Sequence, residues 1–248
     1  MNKDQILNTS AMPAIGPSYA KGPYRFVNRE YLIIIYESDP EAIRAALPEP
    51  LEPLAEPQVY YEFIKMPDSD RNFGDYTESG IVIPCLFEGQ RCNFTCQMYL
   101  NDHPPIAGGR EVWGFPKKYA QPSLEVKADT LTGKLYYAEE LVALGTMAYK
   151  EESLASQSEN IVKALSTTQI NLKLIPDVDG KPAIAQLVGY NMTDITLKGA
   201  WSGRARIHLI PHANAPVADL PVRRVIGGRH YLADITLPYG RVLHDYLK

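Results

Sequence analysis

The stretch Gly80-Ile81-Val82-Ile83-Pro84-Cys85-Leu86-Phe87-Glu88-Gly89-Gln90-Arg91-Cys92-Asn93-Phe94-Thr95-Cys96-Gln97-Met98-Tyr99-Leu100 reads as strand, turn, strand. Two runs rich in apolar, β-branched and aromatic residues, Gly80–Phe87 and Arg91–Leu100, flank Glu88-Gly89, a hairpin-type turn. Outward from this hairpin, ten further segments have strand character: Phe26–Tyr36, Val59–Met66, Ser123–Ala128, Lys134–Tyr137, Leu141–Tyr149, Ile170–Ile175, Ala183–Tyr190, Ile195–Trp201, Ala205–Ile210 and His230–Leu237. Thr132-Gly133, Asp179-Gly180 and Ser202-Gly203 read as further hairpin turns. Composition agrees, with 20 Pro and 16 Tyr in 248 residues, since proline punctuates turns and tyrosine favours strands. Three segments have helical character. Asp39–Leu47 offers an acidic cap followed by proline in the first turn; Pro105–Trp113 is weakened by Gly108-Gly109; Ser156–Leu165 carries an apolar stripe of Ile161, Val162 and Leu165. With no internal repeat and no long linker, evenly spaced strands predict a barrel or sandwich rather than βαβ units: a mainly β, single-domain chain with a few peripheral helices.

The charge balance, 25 Lys+Arg against 29 Asp+Glu for a net −4, argues against a nucleic-acid partner, which a basic face would serve. No apolar run reaches the roughly 18 residues of a membrane span, and Tyr31–Tyr36 is strand-sized. The first residues, MNKDQILNTSAMPAIG, lack a signal-peptide apolar stretch, so a cytoplasmic location is expected. Cys85, Cys92 and Cys96 are an odd set that fits free thiols and small core residues better than a disulfide framework or a metal site. Asn8, Asn93 and Asn191 each open an N-x-S/T triplet, without meaning if the chain is not secreted. Phosphate loop, dinucleotide fingerprint and serine nucleophile elbow are all missing from the sequence. His208 and His212 are four apart, but Pro211 opposes the helix that would aim both at one metal.

Gly109-Arg110-Glu111-Val112-Trp113-Gly114-Phe115-Pro116-Lys117-Lys118-Tyr119 brackets two adjacent lysines with aromatic residues. A Lys-Lys pair in a loop is ordinarily a solvated positive patch. The flanking Trp113 and Phe115 raise the alternative of a lysine held in an apolar pocket and stripped of its charge by desolvation.

With that run in view, the chain resembles the acetoacetate decarboxylase family over nearly its whole length. The matching motifs begin at Lys21–Tyr31 and continue through Pro48–Glu52, Tyr76–Gly80, Gly109–Lys118, Thr130–Gly133, Lys198–Gly203, His212–Pro216 and Asp245–Lys248. Glu151–Thr168 is the least family-like part. The resemblance implies a β-barrel-like fold in one domain over residues 1–248, with residues 1–20 as an N-terminal extension, and a homo-oligomer. It also implies that Lys117 is the Schiff-base lysine, that Lys118 is its charged neighbour, and that Arg29, Glu62 and Glu78 are the polar residues of the pocket, with Trp113 and Phe115 in its walls. Read without the resemblance, Arg29 with Glu30 is a surface pair, Glu62 part of a solvated strand face, and Glu78 a turn cap.

The implied chemistry is loss of CO2 from the keto acid acetoacetate to give acetone, which needs an electron sink at the ketone carbon. A neutral lysine amine supplies one as a protonated imine, without metal or organic cofactor. Only about one unperturbed lysine in 2,500 is neutral at pH 7. This family is itself the standard example of an amine activated by desolvation or a cationic neighbour. Consecutive residues of an extended segment point to opposite faces, so Lys118 is expected to stand away from Lys117 and desolvation to contribute more. The expected roles are proton transfer for Glu78 and substrate positioning for Glu62 and Arg29. Two other functions fit the same residues less well: an aldolase or dehydratase working on keto acids through the same imine, and a non-catalytic β-barrel that binds a small ligand.

Overall fold

The computed structural model describes residues 1–69 and 73–248. Among the described residues two sheets are formed. The larger has twelve strands, ten of them on one hydrogen-bonded path: Glu152–Ser153, Thr193–Gly203, Arg224–Leu237, Tyr24–Glu37, Gln58–Ser69, Gly74–Phe87, Gln90–Leu100, Gln169–Pro176, Pro182–Tyr190 and Arg241–Asp245. Glu52–Pro53 pairs with Gly74–Phe87, and Lys117–Tyr119 runs parallel to Gln90–Leu100. The smaller sheet orders Ala205–Leu209, Glu140–Ala148, Thr130–Tyr137 and Gln121–Lys127. Neither path returns on itself, so the expected barrel is not closed by hydrogen bonds.

All twelve expected strands form, most of them longer than expected by a few residues. Four strands go beyond sequence patterning: Glu52–Pro53, Lys117–Tyr119 and Glu152–Ser153 are too short to show alternation, and Arg241–Asp245 has too few apolar residues to show it. Two expected turns are corrected. Thr132-Gly133 lies inside a strand, and the chain turns instead at Ala128-Asp129, between the paired Lys127 and Thr130. Ser202-Gly203 does not make a hairpin: the strand before it pairs with Arg224–Leu237, and the strand after it belongs to the smaller sheet. The expected Pro105–Trp113 helix becomes an α-helix over His103–Gly108 followed by a π turn over Gly109–Trp113.

Gly133 has a packing reason to be glycine. It pairs across the smaller sheet with Gly145, and the two make a pit that receives the Phe63 ring of the larger sheet. A Cβ on Gly133 would lie 2.2 Å from Phe63 Cγ, and one on Gly145 2.6 Å from Phe63 Cε2. Phe63 is fully buried there, with Leu32, Ile34, Tyr61, Leu131, Leu135 and Met147 in the same cluster. The opposite face of the larger sheet holds a second cluster, including Tyr24, Phe26, Tyr31, Ile64, Trp113 and Phe115. Gly133→Ala should therefore destabilise the protein by about 1–3 kcal/mol through overpacking. Phe63→Ala removes the atoms that the new Cβ meets, so in urea melts the double variant should lose less than the sum of the two single losses; strictly additive losses would mean the pit is not the cause.

Candidate functional site

Strand alternation and register assemble the site. Across the larger sheet, Ile33 pairs with Glu62, Glu62 with Gly80, Gly80 with Met98, and Met98 with Lys117. These residues form one lateral row on the face opposite Phe63. The neighbouring row runs Tyr31, Ile64, Glu78 and Leu100, which sets Glu78 one step from Lys117. Two bulges re-aim strands toward this face. In the first strand Val27 and Asn28 together stand opposite Asp234, because Phe26 pairs with Ile235 and Arg29 with Ala233. Asn28 adopts φ 55°; its N–H donates to Asp234 Oδ1 at 2.8 Å, and Lys198 Nζ donates to its side-chain oxygen at 2.6 Å. The extra residue turns Arg29 to the same face as Phe26 and Tyr31. The second bulge sits at Cys96, between the pairs Val82–Thr95 and Ile81–Gln97. It brings Met98 to the cavity while Gln97 donates to the Pro216 carbonyl at 3.1 Å.

The resulting cavity measures about 90 Å³ and contains Arg29, Glu62, Glu78 and Lys117 among apolar and aromatic walls that include Phe26, Tyr76, Met98, Trp113, Phe115 and Tyr190. Lys117 is buried, and its Nζ lies 2.7 Å from Glu78 Oε1 and 4.9 Å from the centre of the Phe115 ring. The contact is an ion pair by distance without the alignment of a hydrogen bond. The Arg29 guanidinium sits 4.8 Å from the Tyr31 ring centre and 5.4 Å from that of Phe26, and its Nε lacks a hydrogen-bond partner. Burial pushes the Glu62 carboxyl up to about 7, with Arg29 drawing it down and Glu78 adding to the rise.

The lysine is carried by the π turn and the short strand after it. Gly114 takes φ 74°, where its absent Cβ would lie 2.5 Å from Lys173 Cα, so only glycine permits this approach. Asn171 Nδ2 donates to the Trp113 carbonyl at 3.2 Å and Lys173 Nζ to the Val112 carbonyl at 3.1 Å, fastening the turn to the Gln169–Pro176 strand. Trp113 Nε1 donates to the Pro238 carbonyl at 2.8 Å, and its ring stacks on Tyr239. Gly109 is the floor beneath the lysine: a Cβ there would stand 2.7 Å from Lys117 Cδ and 3.2 Å from Nζ.

Arg29, Glu62, Glu78, Lys117, Trp113 and Phe115 thus meet in one cavity. Lys118 does not join them. It pairs with Tyr99, whose side chain lies in the opposite core, and its ammonium donates to the Asn214 carbonyl beside the Tyr137 ring. Glu30 is not a surface partner for Arg29; it faces the other way and contacts His230 Nε2 at 2.8 Å. Sequence patterning did not single out Tyr76, Tyr190 or Met98, whose alternation equally fits plain core residues. Gly109 and Asn171 were equally hidden, because their roles depend on contacts between distant strands.

The chain matches the family model described as acetoacetate decarboxylase (ADC) over residues 11–247. It is 56% identical over 237 residues to the acetoacetate decarboxylase of Acidiphilium cryptum, covering 96% of this chain and 95% of that one. With the acetoacetate decarboxylase of Bordetella avium it shares 54% over 248 residues, covering 100% of this chain and 99% of the relative. The crystal structure of acetoacetate decarboxylase from Legionella pneumophila superposes with a TM-score of 0.92 at 48% identity, covering 98% of this chain and 96% of that one.

The raised Glu62 carboxyl has a measurable consequence. Between pH 4.5 and about 7 the unfolded chain ionises this group while the folded chain keeps it protonated, so its contribution to stability falls as pH rises through that window and stays lost above it. Glu62→Gln should show a shallower loss of stability over the same window in urea melts. A parallel pH dependence in the two proteins would mean that Glu62 ionises in the ordinary carboxylate range.

Proposed function

The chain belongs to the acetoacetate decarboxylase family, and on that premise we propose that it converts acetoacetate to acetone and CO2 through an imine on Lys117. The observation that carries this assignment is the buried Lys117–Glu78 contact at 2.7 Å inside an apolar cavity. Both groups are buried, so each is the other's nearest polar partner for a proton. In the proposed scheme Glu78 takes the proton from Lys117 Nζ, which leaves the neutral amine that attack on a ketone requires. The amine adds to the ketone carbon, and loss of water, with its oxygen protonated by Glu78, gives the protonated imine. The C–C bond electrons then move into that imine as CO2 departs. The enamine takes a proton at carbon, and hydrolysis releases acetone and the lysine.

Glu62 and Arg29 position the substrate in this scheme, with Glu62 able to stand neutral near pH 7 beside the incoming anion. A tight carboxylate–Arg29 pair in the ground state would oppose CO2 loss, so Arg29 acts best by drawing the substrate in and orienting Glu62. Trp113 and Phe115 keep water from the amine, and Lys118 has at most a long-range influence. The scheme calls for no metal or organic cofactor. We also propose a cytoplasmic homo-oligomer of single-domain, barrel-like subunits. The family resemblance supports that assembly, as do Met1, Ile6, Leu7, Met12 and Ile15, which the N-terminal 20 residues leave exposed. Among the described residues no helix is long and apolar enough to cross a membrane.

Borohydride added with acetoacetate should fix a reduced adduct on Lys117, found by peptide mass analysis, and Lys117→Ala should lose both adduct and acetone release. An adduct without CO2 release would point to aldol or dehydratase chemistry, and the absence of any adduct would exclude the imine. Lys118→Ala should move the acidic limb of the pH–rate profile by less than about one unit, the size of a solvent-screened charge at this range. A shift of several units would make Lys118 the main activator. Gly109→Ala should keep native thermal stability, since only the flexible lysine chain need yield, yet lower kcat by about 10²-fold through displacement of the amine. An unchanged kcat would remove Gly109 from the positioning machinery.

A further inference from the structure

The Gly80–Leu100 hairpin carries a second pair of reactive side chains, far from Lys117 along the sheet. It turns at Glu88 (φ 50°) and Gly89 (φ 74°), the two-residue turn with left-handed backbone at both positions. That turn fixes the register: Phe87 opposite Gln90, Leu86 opposite Arg91, Cys85 opposite Cys92. Pairs alternate along an antiparallel ladder, so counting from the closing pair puts Cys85 and Cys92 at a hydrogen-bonded position. Their Cα atoms are then about 5.5 Å apart, within the range a disulfide spans. The two sulfurs already face each other at 3.5 Å.

The pair is asymmetric. Both cysteines are buried in the same core cluster, but Cys92 also lines a surface pocket with Glu88, Arg91, Thr168 and Arg241, whereas Cys85 does not reach it. That pocket is the route by which a small polar oxidant reaches the Cys92 sulfur. The Cys92 thiol also donates to the Cys85 carbonyl at 3.5 Å, so its sulfur is held facing its partner. Cys96, the remaining cysteine, lies at the bulge, and burial pushes its thiol up to about 12.

We propose that Cys85 and Cys92 form a dithiol oxidation site for hydrogen peroxide, with Cys92 as the attacking thiolate and Cys85 as the resolving thiol. The Cys92 sulfur attacks one peroxide oxygen; an S–O bond forms, the O–O bond breaks, and the departing hydroxide takes up a proton to become water. The Cys85 sulfur then attacks the sulfenic sulfur; the S–S bond forms, the S–O bond breaks, and the second hydroxide leaves with the Cys85 proton as water. Two thiols are oxidised by two electrons and one peroxide is reduced to two waters. The site stands apart from the decarboxylase assignment and does not depend on it.

The test treats the native full-length protein with hydrogen peroxide, blocks remaining thiols, and maps peptides without reduction. The expected product has lost two hydrogens, links Cys85 to Cys92 within one chain, leaves Cys96 as the one blockable thiol after unfolding, and reverts with dithiothreitol. In Cys85→Ser, dimedone should trap a sulfenic acid on Cys92; in Cys92→Ser, it should not label Cys85. Persistence of both thiols under peroxide that oxidises free cysteine would overturn the proposal. So would a link that uses Cys96 or a second chain. Equal dimedone labelling of the two variants would overturn the assignment of Cys92 as the attacking thiolate.

Discussion

The seating of Phe63 on the Gly133–Gly145 pit decides which face of the larger sheet is core and which is cavity. Side chains along a strand alternate, so once Phe63 is committed to the smaller sheet, Glu62 and Ile64 must face the other way. The hydrogen-bonded ladder passes that commitment sideways: Gly80 faces with Glu62, Met98 with Gly80, Lys117 with Met98. A slip by one residue anywhere in this row would put the lysine into the hydrocarbon core and a core residue into the cavity. Two aromatic-lined clusters on opposite faces, each requiring its own apolar set, make that slip costly. The bulges at Asn28 and Cys96 are exceptions the sheet permits at fixed points, each held by a named partner, and each delivers a side chain that simple alternation would have turned away.

Electrostatics inside the cavity follow from the same placement. Arg29 and Lys117 supply two positive charges and Glu62 and Glu78 two negative ones, so the cavity by itself can be neutral. An anionic keto acid entering it adds one negative charge in surroundings that solvate charge poorly. The cheapest response is uptake of a proton by the group nearest to neutrality, and Glu62, pushed up to about 7, is that group. Glu78 remains against the amine at 2.7 Å, where the proposed mechanism uses it for proton transfer.

Much of this is legible in the amino-acid sequence. Twelve of the strands follow from alternation and turn chemistry, and Glu88-Gly89 turns where its residues require. Thr132-Gly133 misled because glycine has two uses: it frees the backbone at turns, and it clears space for a ring, and local sequence does not tell them apart. The lysine run and the Thr77-Glu78-Ser79-Gly80 motif pointed to the cavity residues through resemblance, whereas alternation alone left Arg29 and Glu62 as surface groups. Arg29 reaches the cavity only by the Asn28 bulge, a feature set by Asp234 more than 200 positions along the chain. The π turn and Gly109 were illegible for the same reason, because their meaning lies in what packs against them. Lys118 is the charged neighbour only in sequence: strand alternation takes it to the other face, as extended geometry predicts.

The protein's net charge of −4 offers an anionic substrate no general attraction, so attraction has to be local and temporary. Arg29 is suited to this because it is buried between two rings, where its charge is little screened, yet its Nε is not committed to a partner. Holding the carboxylate tightly would defeat the reaction, since that group must leave as neutral CO2. Apolar walls act in the opposite sense: a carboxylate facing Phe115, Met98 and Tyr190 loses hydration, whereas the state in which its charge is flowing into the imine has less charge to solvate. In the proposed mechanism the residues that keep the amine free of water are therefore the ones that also favour departure of CO2, so a single apolar lining would serve both steps.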